Sequence, residues 1–109
     1  MITKENMPAC DVATTVQLIG SKWKTLIIRD LMTGSKRNAE LKRSLEGISQ
    51  KILTQSLNSM ISDGLVERID FQENPPHVEY RLTNLGKSLL PVIEEMRKWG
   101  AIYKVAIKE

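Results

Sequence analysis

The sequence predicts a mainly α domain with a small β-hairpin, an α+β chain in which helices dominate. Three observations lead there. Residues 11–64 hold four runs with apolar residues at helical spacing, each closed by a glycine. Residues 66–82 hold two short runs, the second cleanly alternating, on either side of Glu73-Asn74-Pro75-Pro76. From Leu85 to Tyr103 the main apolar residues step by 4, 3, 4, 3 and 4.

Each element can be justified in order. Asp11 can cap a first helix, with Val12, Val16 and Ile19 on one face and Gly20 as its stop. Ser21 can cap the second, whose face is Trp23, Leu26, Ile27 and Leu31, with Gly34 just past its end. Ser35, Lys36 and Arg37 read as a short extended link. Residues 38–46 make a short helix, with Asn38 as cap, Leu41 and Leu45 inward, and Gly47 as the stop. Ser49 caps the fourth helix, and Ile48 and Leu53 hold the two positions of a hydrophobic staple. Leu53, Leu57, Met60 and Ile61 then give the spacing of a buried stripe. At about 100° per residue, Lys51, Thr54, Gln55, Asn58 and Ser62 fall on the opposite side, and Gly64 ends the helix.

The run from Val66 to Gln72 is a loose strand with Ile69 and Phe71 on one face. His77 to Leu82 alternates, with Val78, Tyr80 and Leu82 inward and Glu79 and Arg81 outward. The prolines between them have no N–H for a ladder, so this is a hairpin with a stiff tip. Thr83 caps a last helix over about 84–106. Its spacing is that of a coiled-coil seam, widened by Ile93 and Ile102. Pro91 removes the bond to the Lys87 carbonyl, so a bend is expected there. One domain of 109 residues has little left to cover this seam. The same helix of a second copy is the simplest cover, giving a two-fold homodimer joined through residues 11–19 and 84–106. The alternative is that the seam wraps the chain's own first helix.

The formal net charge is only +3, but it is unevenly placed. Lys36, Arg37, Lys42, Arg43 and Lys51 face only Glu40 and Glu46 between residues 36 and 58, a net of +3. Arg68 and Arg81 face Asp63, Glu67, Asp70, Glu73 and Glu79 between residues 59 and 83, a net of −3. Positive charge therefore gathers around the fourth helix, as expected of a surface that meets phosphate, although a solvated basic face has the same composition. No apolar run has the length of a membrane span or the form of a signal peptide. The lone cysteine allows no internal disulfide. The expectation is a cytoplasmic chain.

Helix, short helix, capped helix and hairpin, in that order, make a winged helix-turn-helix, with residues 50–63 in the place of the recognition helix. Its outward face suits base edges. Gln55 and Asn58 can donate and accept at an adenine, and Thr54 can touch a thymine methyl or a phosphate. Lys51 can reach a guanine or a phosphate, and Ser49 with the free N–H groups of the helix start offers a phosphate site. A helix meant only for solvent more often carries Glu–Lys pairs here. Lys36, Arg37, Lys42 and Arg43 are the candidate phosphate anchors. The wing is poor in net positive charge, leaving His77 as its candidate contact near the tip.

The motifs IGSKWK, GISQKILTQSL, DGLVER, PPHVEYRLT and EMRKWG carry a resemblance from about Cys10 to Gly100. Together they resemble the HxlR family of bacterial transcription regulators, relatives of the MarR group. The resemblance implies a DNA-binding homodimer that represses or activates by binding an inverted-repeat operator. It also implies that Ser49, Gln50, Lys51, Thr54 and Gln55 approach the major groove. One departure is Asn38: RNAEL stands where the family often has an aromatic residue in an RF-x-EL pattern.

Cys10 is the candidate regulatory residue. Helix starts favour thiolates in general, whereas Asp11 beside it opposes one. Some members of the resembled family sense oxidants or electrophiles through a cysteine placed here, so an oxidant or small-molecule effector is a candidate partner. Cys10 and His77 have no zinc-ligand spacing, so no metal or other cofactor is expected. No nucleophile–base set or nucleotide-binding glycine loop is found, so an enzyme is not expected. The competing non-enzymatic reading is a winged-helix module for protein contacts without DNA.

Overall fold

The computed structural model describes residues 5–108. The elements are α1 (Asp11–Ile19), α2 (Lys22–Leu31), α3 (Asn38–Ser44), α4 (Gln50–Ser62), β1 (Val66–Asp70), β2 (Val78–Leu82), α5 (Asn84–Lys87) and α6 (Leu90–Lys108). The central helix is α2, which packs against α3, α4, β2 and α6. It holds this place because its buried face is broad: Ile27 and Ile28 are both fully buried and Leu31 is nearly so. Leu41, Leu45 and Ile48 close one side of the core. Leu53, Leu57 and Met60 close a second, and Leu65, Val66, Leu82 and Ile93 complete it. Burying one such side chain contributes about 1.5–3 kcal/mol, so the α4 stripe alone matches much of a small domain's net stability.

The hairpin pairs antiparallel, with Val66 opposite Leu82, Arg68 opposite Tyr80 and Asp70 opposite Val78. Its core face begins with Val66, which is buried. Ile69 and Phe71 share the other face, so the side chain that ties β1 to the core is one the loose alternation did not single out. The link after α2 joins the sheet at one point. Lys36 N–H donates to Tyr80 at 2.9 Å and Tyr80 N–H returns to Lys36 at 2.8 Å.

Three local expectations are corrected. Asp11 is not the cap of α1: Cys10 holds that position in an extended conformation, and Asp11 is already helical. Asp11 still lies in the first turn, where a carboxylate suits the helix dipole. Asn38 is not the cap of α3: Arg37 is, and the Glu40 carboxylate accepts from Arg37 N–H at 2.9 Å. The last helix is broken rather than bent. Thr83 caps only α5, by accepting from Gly86 N–H at 3.0 Å, and α6 starts afresh at Leu90. Pro91 explains the restart, because it is tolerated in the opening turn of a helix, where the N–H groups lack partners anyway.

Gly86 lets α5 sit against the sheet. A Cβ there would stand 2.1 Å from the Leu65 carbonyl oxygen and 3.1 Å from Leu82 Cδ2. Thr83 holds the same junction, donating to the Gly64 carbonyl at 2.6 Å. Gly86→Ala is therefore expected to lower stability by about 1–3 kcal/mol in urea denaturation, although alanine is the better helix former. An unchanged midpoint would show that this junction is looser than its geometry.

Candidate nucleic-acid interface

The turn between α3 and α4 and the two ends of α4 determine how α4 is presented. Gly47 adopts φ +91°, a left-handed conformation that favours glycine, and brings Ile48 into the core. Ser49 then caps α4, its hydroxyl accepting from Ile52 N–H at 3.1 Å. At the far end Gly64, at φ +81°, reverses the chain. Leu65 N–H closes onto the Met60 carbonyl at 2.9 Å and Gly64 N–H onto Ile61 at 3.0 Å, the paired bonds of a glycine C-cap. Lys24 Nζ donates to Ser59 Oγ at 2.8 Å and pins the flank of α4 to α2.

With Leu53, Ser56, Leu57 and Met60 buried, Lys51, Thr54, Gln55 and Asn58 are exposed together on the outer side. Gln50 is exposed but engaged. Its Nε2 donates to Asn38 Oδ1 at 3.0 Å and to Thr54 Oγ1 at 3.0 Å, while its Oε1 accepts from Asn38 Nδ2 at 2.8 Å. Asn38 had no role in the sequence-based site beyond capping. Nothing local signals this pairing, because the partners lie 12 residues apart.

The basic residues divide into two groups. Arg37, Lys42, Arg43 and Lys51 are exposed and enter no ion pair among the described residues. Lys36 is half-buried, and its Nζ donates to Thr33 Oγ1 at 3.0 Å and to the Gly34 carbonyl at 3.3 Å. In the wing, charge is matched internally. Arg81 meets the cross-strand Glu67 at 2.6 Å, and Arg68 lies 3.8 Å from Asp70. His77 Nε2 lies 2.6 Å from Glu79 and its Nδ1 lies 3.6 Å from Glu73. The Phe71 ring lies against that of His77, tilted by 31° with centroids 4.3 Å apart. His77 is thus tied into the wing rather than held out from it. The hydrogen bond with His77 holds the Glu79 carboxyl below its usual 4.5, helped by Ser35 and by the charges of His77 and Arg37.

Elsewhere, Cys10 is exposed at the start of α1. Val12, Val16, Met96, Trp99, Ile102 and Tyr103 are all exposed, so α1 does not cover the α6 seam within one chain. Among the described residues no cluster of three or more His, Cys, Asp or Glu could hold a metal, and no helix is long and apolar enough to cross a membrane.

A small helical core, an exposed second helix in the helix-turn-helix and a following hairpin define a winged helix-turn-helix DNA-binding regulator. The model of the HxlR-like helix-turn-helix family matches residues 18–108, and the chain belongs to that family. It is 44% identical over 95 residues to the uncharacterized HTH-type transcriptional regulator YkvN of Bacillus subtilis, covering 87% of this chain and 80% of that protein. The redox regulator HypR in its reduced form is similar in structure, with TM-score 0.86 and 34% identity over 91% of this chain and 98% of that one. The reduced form of the transcriptional regulator YodB from B. subtilis gives TM-score 0.75 and 36% identity over 84% and 91%. The protein is therefore a DNA-binding transcription regulator, a family of regulators rather than enzymes, and the protein-contact module without DNA is the weaker reading.

The wing geometry generates a prediction. A carboxyl with a depressed folded-state pKa stabilises the fold above the unfolded value and loses that contribution as pH falls through the folded one. Thermal melting should accordingly show wild type above Glu79→Gln at neutral pH, with the gap closing below pH about 4.5. A gap that widens on acidification would contradict the assigned pairing.

Proposed function

We propose that the protein binds an inverted-repeat operator as a two-fold homodimer in the cytoplasm, with α4 of each copy in the major groove. The observation that carries this is the outer face of α4: exposed, amide- and hydroxyl-bearing, free of carboxylates, and rigidly backed by buried Leu53, Leu57 and Met60. Lys51, Thr54, Gln55 and Asn58 meet base edges, and Ser49 with the helix N-terminus meets phosphate. Arg37, Lys42 and Arg43 supply most of the phosphate anchoring; Lys36 adds less, because it is turned back onto its own link. His77 adds little, because its partners are carboxylates. Two copies join through α6 and α1, whose exposed Val12, Val16, Met96, Trp99, Ile102 and Tyr103 supply an apolar surface for each other.

Selection from a random duplex pool tests this reading. The expected product is an inverted repeat with half-site centres about 34 Å apart, one turn of B-DNA. No enrichment, or a single unrepeated site, would contradict it. Neutralising about three to five phosphates per copy gives a slope of log K against log salt of roughly −5 to −9. Gln55→Ala should cost about 1–3 kcal/mol and relax one base position. Arg43→Ala should weaken all sequences alike and flatten the slope by about 1.

A regulatory reading rests on Cys10, exposed at the α1 N-cap, and on the structural similarity to the redox regulator HypR. Oxidation by a diazene such as diamide would join the Cys10 thiols of two chains as a disulfide, with two electrons and two protons passing to the reagent. Treatment is expected to change operator binding by wild type and leave Cys10→Ser unaffected in an electrophoretic mobility shift. An equal response of both proteins would eliminate Cys10 as the sensor.

A further inference from the structure

We infer that Asn38 is a positioning residue for base recognition, one that withholds Gln50 from the DNA and orients Thr54. This rests on the proposed placement of α4 in the major groove. A glutamine amide offers two N–H donors and one carbonyl. In Gln50 both hydrogens are used, one on Asn38 Oδ1 and one on Thr54 Oγ1, and the carbonyl accepts from Asn38 Nδ2. Reading an adenine needs one of those N–H groups and the carbonyl together. Gln50 therefore cannot read a base without breaking its reciprocal pair with Asn38, and the exchange brings no net gain in hydrogen bonds. It becomes a strut between the starts of α3 and α4.

The same network assigns a direction to Thr54. Its oxygen accepts from Gln50, so its own O–H is left to donate outward. Thr54 then suits an acceptor, a phosphate oxygen or a purine N7, in preference to a donor. Asn38 keeps one N–H of its Nδ2 outside the pair, at the edge of the same face. An apolar or aromatic side chain at position 38 has no amide to hold Gln50, so the base chosen at the N-terminal end of α4 depends on a residue outside α4.

The test is selection of bound duplex from a random pool by wild type, Asn38→Ala, Asn38→Leu, Gln50→Ala and the double variant Asn38→Ala with Gln50→Ala, followed by affinities on each selected site. Asn38→Leu keeps the branched shape at Cγ and replaces the amide with methyl groups, so together with Asn38→Ala it separates loss of pairing from loss of packing. Both Asn38 variants are expected to change preference at the one half-site position facing the start of α4. Preference elsewhere, and the salt slope, should stay as in wild type. In the Asn38→Ala background, Gln50→Ala should cost about tenfold or more on that variant's own site, the scale of one lost base contact. With Asn38 present the same change should alter the choice of base far less. Identical selected sites for wild type and both Asn38 variants, or a Gln50→Ala effect of equal size in both backgrounds, would overturn the inference while leaving operator binding intact. Failure of wild type to select any duplex would overturn both together.

Discussion

The presentation of α4 depends on one packing constraint, the burial of Leu53, Leu57 and Met60 in the core against α2. These three side chains determine the rotation of α4 about its axis. A helix that rolled by a single residue, about 100°, would take Thr54 and Asn58 out of their present direction and bring apolar side chains into it. The roll is opposed by full burial on one side and by specific fastenings at both ends. The Ser49 cap fixes the start, the glycine reversal at Gly64 fixes the end, and the Lys24–Ser59 bond holds the flank. A regulator that distinguishes bases by hydrogen bonds needs that rigidity, since each such bond is directional.

Charge is arranged along the same division. Around α3 and α4 the exposed arginines and lysines have no acidic partner among the described residues, whereas both arginines of the wing have one within the hairpin. A residue already paired to a carboxylate must lose that pairing before it neutralises a phosphate, so its net contribution is small. The long α6 seam has a parallel logic. Ile93 is buried within one chain, while Met96, Trp99, Ile102 and Tyr103 stay exposed beyond it. The inner turns of α6 thus belong to the domain, and the outer turns carry the apolar surface through which we propose two copies join.

Much of this was legible in the residues. The glycine stops, the serine caps at Ser21 and Ser49, and the stripe of α4 are local signals, and local signals survive folding when tertiary packing agrees with them. Position 28 was missed because Ile28 lies beside the assigned stripe, and only the central placement of α2 widens its buried arc. The break before α6 was read as a bend, since Pro91 forbids a bond without saying how the backbone resolves it. Asn38 was read as a cap from its residue type. Its pairing with Gln50, like that of His77 with Glu79, depends on how two elements are brought together, which no local pattern encodes. The proposed base-reading face was visible in advance, but not the fact that one of its members is already occupied.

Methylation interference on a selected operator tests the central claim most directly. Methyl groups on guanine N7 lie in the major groove, and those on adenine N3 lie in the minor groove. If α4 reads the major groove from each half of a dimer, binding should be blocked by N7 methylation in two symmetric windows about one helical turn apart. Interference confined to N3, or to a single unpaired window, would contradict the account.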